Sequence, residues 1–427
     1  MKKINEMFSQ NIIKIVTIFL LMQPILDFVT GMNIKYYTNF VSSGIIFRAT
    51  FLAIVIYYVI FLSKFKNKKY SISYLIMIFI YIVTFVAISL NIKGLSLVLT
   101  EIKWIIKVFY FPILLICFIN IFNDNKEEVN ITTYIYILAT YIFLIIACQL
   151  FGIDANAYTQ GKIGYIGIFN SANEISAIIS ILLPFLFFYN FKKGQAYIKI
   201  LILIATLYCI LISGTKTSFL SLVIVSLIYL IWYINKLIKE KKYKQIKTIS
   251  IFAIIIVALV FITLPFTSFG KNIEKHITFL EIDNITEIFE GDNFNRLIFS
   301  DRLTFLKETK EIYNEGKDVQ KIIGIGFAFE PEQKLIEIDY YDIYYRYGPI
   351  GFVIYFAPLI IIILDITKLF KYKLLNKITY SLAVFLGLIL AFFTGHIFTA
   401  PSVSIYVALF MSVLYNKVAL NGTKINI

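Results

Sequence analysis

The sequence predicts an all-α polytopic membrane protein of about twelve transmembrane helices with one large extracytoplasmic loop. Of its 427 residues 59% are hydrophobic, with 41 Phe and 30 Tyr, well above the apolar share of a soluble domain. Apolar runs of roughly 16 to 21 residues recur along the chain, and about 20 residues carry one helix across hydrocarbon. Charge collects between the runs and changes sign from one interval to another.

The runs lie near residues 12–29, 44–62, 72–90, 104–121, 131–151, 172–190, 198–213, 217–234, 249–266, 349–366, 378–394 and 399–416. No small-x-small cleavage site follows the first, so Met1-Lys2-Lys3 reads as the start of a retained helix rather than a signal peptide. The fourth run is interrupted by Lys107 and Pro112. Cys117, Cys148 and Cys209 fall in separate runs without CxxC spacing, a pattern that favours neither a disulfide nor a zinc site. No metal and no cofactor are expected.

Basic segments resist translocation, so Lys-rich short loops mark the inner side. Lys64, Lys66, Lys68 and Lys69 follow the second run, Lys192 and Lys193 the sixth, Lys236 to Lys247 the eighth, and Lys368, Lys371, Lys373 and Lys377 the tenth. The mixed-charge exit after the fourth run, around Lys126, is the exception. Both termini are then cytoplasmic and the protein belongs in the cytoplasmic (inner) membrane. The net charge of +14 is a topology signal here, and no nucleic-acid partner is expected. The chain divides into helices one to nine over 1–266, a partly helical outer loop over 267–347, and helices ten to twelve over 348–427. That loop holds ten basic and sixteen acidic residues, the opposite balance to the rest of the chain, with helix-like apolar spacing at Leu303, Phe305, Leu306 and Ile312.

Ionisable residues in membrane helices mark either helix ends, where they snorkel, or functional cavities. The topology puts Asp27, Arg48, Glu101, Lys103, Lys107, Glu174, Lys216 and His396 at outer ends and leaves Lys199 near the inner face. Each alone reads equally as a snorkelling side chain. Several cations together on the outer side run against the positive-inside bias and suit a polyanion such as a pyrophosphate. Lys216 lies in the polar break Ser213-Gly214-Thr215-Lys216-Thr217-Ser218, which offers N–H donors and positive charge at a helix start or is an ordinary hairpin. In the loop, Arg302 opens an amphipathic stretch, and Gly324-Ile325-Gly326 reads as a turn rather than a phosphate cradle. Glu337, Asp339 and Asp342 precede re-entry into the membrane, with Arg346 after them. A carboxylate there is placed to take a proton from an attacking sugar hydroxyl, or is plain acidic surface.

With these features the chain resembles the bacterial O-antigen ligase and polymerase family. The resemblance rests on the twelve-run plan with a late outer loop, Thr215-Lys216-Thr217, Arg302-Leu303, Gly324-Ile325-Gly326, the stretch from Glu337 to Gly351, and Phe169-Asn170-Ser171-Ala172-Asn173-Glu174. Two positions depart from the family pattern: Lys216 stands where Arg is common, and Glu337 where ligases often carry a His proposed to activate the acceptor. The resemblance implies transfer of a glycan from an undecaprenyl-pyrophosphate carrier to a second glycan, for O-antigen, capsule or teichuronic-acid-like polymers. Lys216, Arg302 and Arg346 would then neutralise the diphosphate. Glu337, Asp339 or Asp342 would be the catalytic base, and Arg48, Lys103, Lys107, Glu174 and His396 would be supporting residues. The competing readings are a transporter or flippase, which would carry its polar residues at the bilayer midplane in repeated halves, and a sensor or scaffold.

Overall fold

In the computed structural model a helix covers each of the twelve apolar runs, because a backbone in hydrocarbon must satisfy its polar groups within its own segment. The structure describes residues 2–36, 43–125, 127–153, 163–279, 289, 291–370 and 378–422. Lys126, Lys371, Lys373 and Lys377 of the basic exits, and 280–288 and 290 of the polar segment, lie outside these. In order the helices are α1 Lys2–Tyr36, α2 Ser43–Tyr57, α3 Lys68–Lys93, α4 Leu95–Val108, α5 Tyr110–Asn125, α6 Ile131–Leu150, α7 Ala172–Phe188 and α8 Ala196–Ser213. There follow α9 Lys216–Lys239, α10 Tyr243–Thr263, α11 Ser268–Phe279, α12 Arg302–Glu315, α13 Asp318–Ile323, α14 Asp339–Phe370, α15 Ile378–Phe393 and α16 Pro401–Gly422. Among the described residues eight spans are long and apolar enough to cross a membrane, with α7, α15 and residues 401–416 as shorter apolar helices.

The fourth run differs from its expected bounds. It starts earlier, at Leu95, and Leu95–Asn125 forms one span interrupted at Phe109. Pro112 has no N–H to give the carbonyl four residues back, and that carbonyl, Val108 O, instead accepts the Tyr355 hydroxyl at 3.2 Å. The same solution recurs in α14. Pro358 leaves Ile354 O without its helical donor, and Tyr74 supplies a hydroxyl at 2.8 Å.

The chain forms two compact units. The first comprises residues 1–23, 41–130 and 294–427. Its centre is α5 against α16, where Phe111, Leu114, Phe118 and Phe122 of α5 and Val403, Val407, Phe410 and Val413 of α16 are all fully buried. Asn416 crosses it, donating to Phe122 O at 2.7 Å. The second unit comprises residues 24–40 and 131–293. Here α7 is buried on nearly every side, packed on α6, α8 and α9. Gly31 of α1 lies so close to Ile168 O that a side chain would collide with it, and Asp27 accepts the Tyr141 hydroxyl at 2.5 Å.

Near Gly348 (φ 64°), which interrupts α14, three carbonyls are served from outside the helix. Tyr345 O accepts Ile325 N at 3.1 Å, Arg346 O accepts Gly326 N at 2.8 Å, and Tyr347 O accepts the Tyr81 hydroxyl at 2.7 Å. Gly324-Ile325-Gly326 is therefore a turn pressed onto this kink. A Cβ at Gly326 would meet Glu101 and Lys93, and φ there is 74°. Gly326→Ala is expected to cost about 1–2 kcal/mol through the left-handed backbone alone, and more through the collision. A lowered unfolding temperature of the detergent-solubilised protein would show it, and an unchanged temperature would contradict this packing.

Candidate functional site

The first unit gathers a charged cluster where the start of α12, the residues before α14 and the α15–α16 connection meet. Ser300 and Asp301 both have left-handed backbone (φ 52° and 67°), and this double turn begins α12 at Arg302. Asn295 secures the turn, its Oδ1 accepting Leu303 N and its Nδ2 donating to Thr304 Oγ1, both at 3.1 Å. It thereby takes one of the N–H groups left unpaired at a helix start. Arg302, 7% exposed, donates from Nη1 to Phe299 O at 3.1 Å and from Nη2 to Glu337 Oε2 at 2.8 Å and Thr394 O at 3.4 Å. Its Nε is buried and has no acceptor among the described residues.

Glu337 also has left-handed backbone (φ 57°) and keeps its side chain 27% exposed. The other side of its carboxylate faces His396, whose Nε2 is 3.8 Å from Oε1. That separation is too long for a direct hydrogen bond, and the two form an ion pair only when the imidazole is protonated. Gly395 (φ 61°) and His396 (φ 59°) form a left-handed pair, and a Cβ on Gly395 would stand 2.6 Å from the Glu337 carbonyl. Burial opposes ionisation of Glu337 more strongly than any other single influence, but His396 and Arg302 together outweigh it and hold the carboxyl down at about 2.

A depressed carboxylate stabilises the fold above its unfolded pKa, and that contribution is lost as pH falls through the folded value. The excess unfolding temperature of the wild type over Glu337→Gln is therefore expected to be steady at neutral pH. It should shrink as pH drops from about 4.5 towards about 2. A difference that vanished already at pH 6 would contradict the ion pair.

The other two carboxylates fix loops. Asp339 opens α14 fully buried and accepts four bonds from the α15–α16 connection: His396 N at 2.9 Å, Ile397 N and Phe398 N at 2.7 Å, and Thr399 Oγ1 at 3.0 Å. Asp342, also buried, accepts Ile336 N at 3.2 Å, which fixes the residue before Glu337. Both lie in the first helical turn, where the macrodipole favours negative charge. Glu101 does for the preceding loop what Asp339 does for the later one. It is fully buried in α4, accepts Phe327 N and Ala328 N at 2.9 Å, and pairs with Lys93 at 3.3 Å.

Of the cations expected at a diphosphate, only Arg302 lies in this cluster by its contacts. Arg346 has no exposed surface, gives Nη1 to Gly326 O at 3.1 Å, and stacks over Phe327 and Phe329. Lys216 belongs to the second unit, at the start of α9, half-buried beside a hydroxyl chain of Ser176, Thr215 and Ser218 with links of 2.7 Å. Asn272 of α11 holds that turn by donating to Ile163 O and Gly214 O. Glu174 starts α7 in the same unit, its N–H accepted by Ser171 Oγ at 3.3 Å. Arg48 donates twice to buried Gln23, Lys107 lies over Trp104, and Lys103 is exposed on α4.

Sequence reading did not single out Asn295, Asn272 or Lys93. A polar residue just ahead of the break Ser300-Asp301 is a signal that points towards Asn295; Asn272 lies 58 residues after Gly214 and has no such local signal. Lys93 has a weaker one in the Gly94 that ends its helix.

The helices define a multi-pass membrane protein, and Arg302, Glu337 and His396 form a charged cluster in its first unit. The chain belongs to the O-antigen ligase family of membrane proteins: a family model described as "O-antigen ligase like membrane protein" matches residues 9–293 and 287–420. Membership brings a membrane glycosyltransferase-type role. No curated protein matches the chain.

Proposed function

We propose that this protein transfers an oligosaccharide from undecaprenyl pyrophosphate to a hydroxyl of a second glycan at the outer face of the cytoplasmic membrane, as a polymerase or a ligase of cell-surface polysaccharide. The observation that supports it most is the Arg302–Glu337–His396 cluster, a cation, a carboxylate and an imidazole on three separate segments joined at one point. In the transfer the acceptor oxygen bonds to the anomeric carbon. The bond from that carbon to the diphosphate oxygen breaks, and its electron pair leaves with the diphosphate. Negative charge develops on the leaving group, and a fixed guanidinium answers it without reorganising. Arg302 carries that role. Lys216 has the same assignment on its motif alone. Asp339 and Asp342 hold the loops, and Arg346 keeps the kink of α14 in place. The outer segment faces the lipid-linked donor, and both termini are cytoplasmic.

Deleting the gene in the source strain is the test. The expected result is loss of long surface polysaccharide with accumulation of its repeat unit on the lipid carrier, reversed by the wild-type gene. Unchanged polysaccharide and no accumulation would overturn the proposal.

A further inference from the structure

Glu337 occupies the place where a proton acceptor for the attacking hydroxyl would be sought, yet its surroundings suit another task. Arg302 holds one of its oxygens at 2.8 Å, and a carboxyl kept at about 2 is a weak base, since general-base catalysis is most effective with a pKa near the working pH. Such a carboxylate is a good counter-ion. The group it faces is His396, one of two histidines in the chain, which ordinarily titrates near neutrality.

The structure fixes the backbone that carries this ring. The His396 N–H is bound by Asp339 at 2.9 Å, and the next two N–H groups by the same carboxylate. Its backbone is left-handed (φ 59°), an uncommon conformation for a residue other than glycine, and the Asp339 contacts hold it there. The preceding Gly395 seats the turn against Glu337. The 3.8 Å from Nε2 to Oε1 is too long for the two to bond directly, but one hydroxyl oxygen lying off the line between them reaches both at hydrogen-bond distance. The ring is 22% exposed on its side chain, so a substrate has access. Among the described residues the charged groups around it include Glu337, Arg302 behind Glu337, and Asp339 and Asp342 at the start of α14.

We propose that His396, from the α15–α16 connection, is the catalytic base of the transfer, with Glu337 as its counter-ion. This rests on the glycan-transfer reading above. As the acceptor oxygen bonds to the anomeric carbon, its proton passes to Nε2, and the diphosphate departs with the electron pair of the broken carbon–oxygen bond. The imidazolium so formed stands beside the Glu337 carboxylate, which Arg302 keeps ionised and in place. The base is thus supplied by a segment 59 residues after Glu337 in the chain.

The test measures steady-state transfer from undecaprenyl-pyrophosphate oligosaccharide in nanodiscs, across pH 5 to 9, for wild type, His396→Ala, His396→Gln and Glu337→Gln. The His396 variants are expected to lose about 10²–10⁴-fold in kcat with little change in KM for the donor. Added imidazole should restore part of the His396→Ala rate and none of the Glu337→Gln rate. Wild-type kcat/KM should fall on the acidic side as the ring protonates. His396 variants that keep transfer within about fivefold of wild type, below any general-base contribution, would overturn the proposal. So would a loss carried wholly by KM without imidazole rescue. If the variants do not fold, the wild-type profile decides: an acidic limb is required, and a flat profile to pH 5 excludes the imidazole. Absence of transfer by the wild type would instead count against the glycan-transfer reading itself.

Discussion

Replacing Arg302 with Ala is expected to lower glycan transfer by about 10²–10³-fold, the usual effect of removing one group aimed at developing charge, while the folded protein is still recovered. The guanidinium touches three separate segments, Phe299 O before α12, Glu337 before α14 and Thr394 O after α15. Its loss therefore removes the electrostatic partner of the leaving group and loosens Glu337 as well. Arg302→Lys keeps the charge but cannot reach three acceptors in different directions, so it should recover only part of the rate. Initial rates of chain extension for the three proteins, at matched amounts of monodisperse protein, measure this. Equal rates for Arg302→Ala and wild type would remove Arg302 from the site.

Asp339→Ala is expected to have the largest effect on stability. The carboxylate has no exposed surface to speak of and accepts three backbone N–H groups and one hydroxyl. Each donor left unsatisfied costs about 1–3 kcal/mol, so a loss on the order of 4 kcal/mol is expected even if some of them find water. Asp339→Asn is the sharper variant, because it places an amide NH2 against donors and fails for the same reason. If Asp339 acts as an anchor, both variants lower the unfolding temperature, and amide exchange accelerates at residues 396–398. If it acts as a base instead, Asp339→Asn would keep the wild-type temperature and lose only turnover.

These two residues illustrate what the sequence discloses. The apolar runs lie in helices, the fourth in two of them, and eight spans are long and apolar enough to cross a membrane, since run length and the demands of hydrocarbon leave a backbone little choice. The interruption of the fourth run was visible in Pro112, but its place at Phe109, and the Tyr355 hydroxyl that accommodates it, depend on a helix more than 200 residues away. The candidate acids were found as a group and not by role. A carboxylate that binds the N–H groups of a distant loop, as Glu101 binds Phe327 and Ala328, has the same local sequence as one that snorkels. His396 drew notice as a charge at a helix end and, through the family resemblance, as a supporting residue. Its pairing with Glu337 is set by a turn at Gly395 and by Asp339, neither of which leaves a periodic signal. Arg346, which sequence placed beside a diphosphate, is enclosed by Gly326, Phe327 and Phe329 because the kink at Gly348 draws the Gly324–Gly326 turn over it.

The most direct test of the central reading is transfer by the purified protein. Wild-type protein in proteoliposomes would receive undecaprenyl-pyrophosphate oligosaccharide isolated from the source strain, with glycan length and released undecaprenyl pyrophosphate followed together. The expected result is glycan lengthening or attachment to acceptor, with one carrier diphosphate freed per bond formed and both signals lost in Arg302→Ala. Movement of intact lipid-linked oligosaccharide between leaflets, with no bond formed and no carrier released, would contradict it and show a transporter.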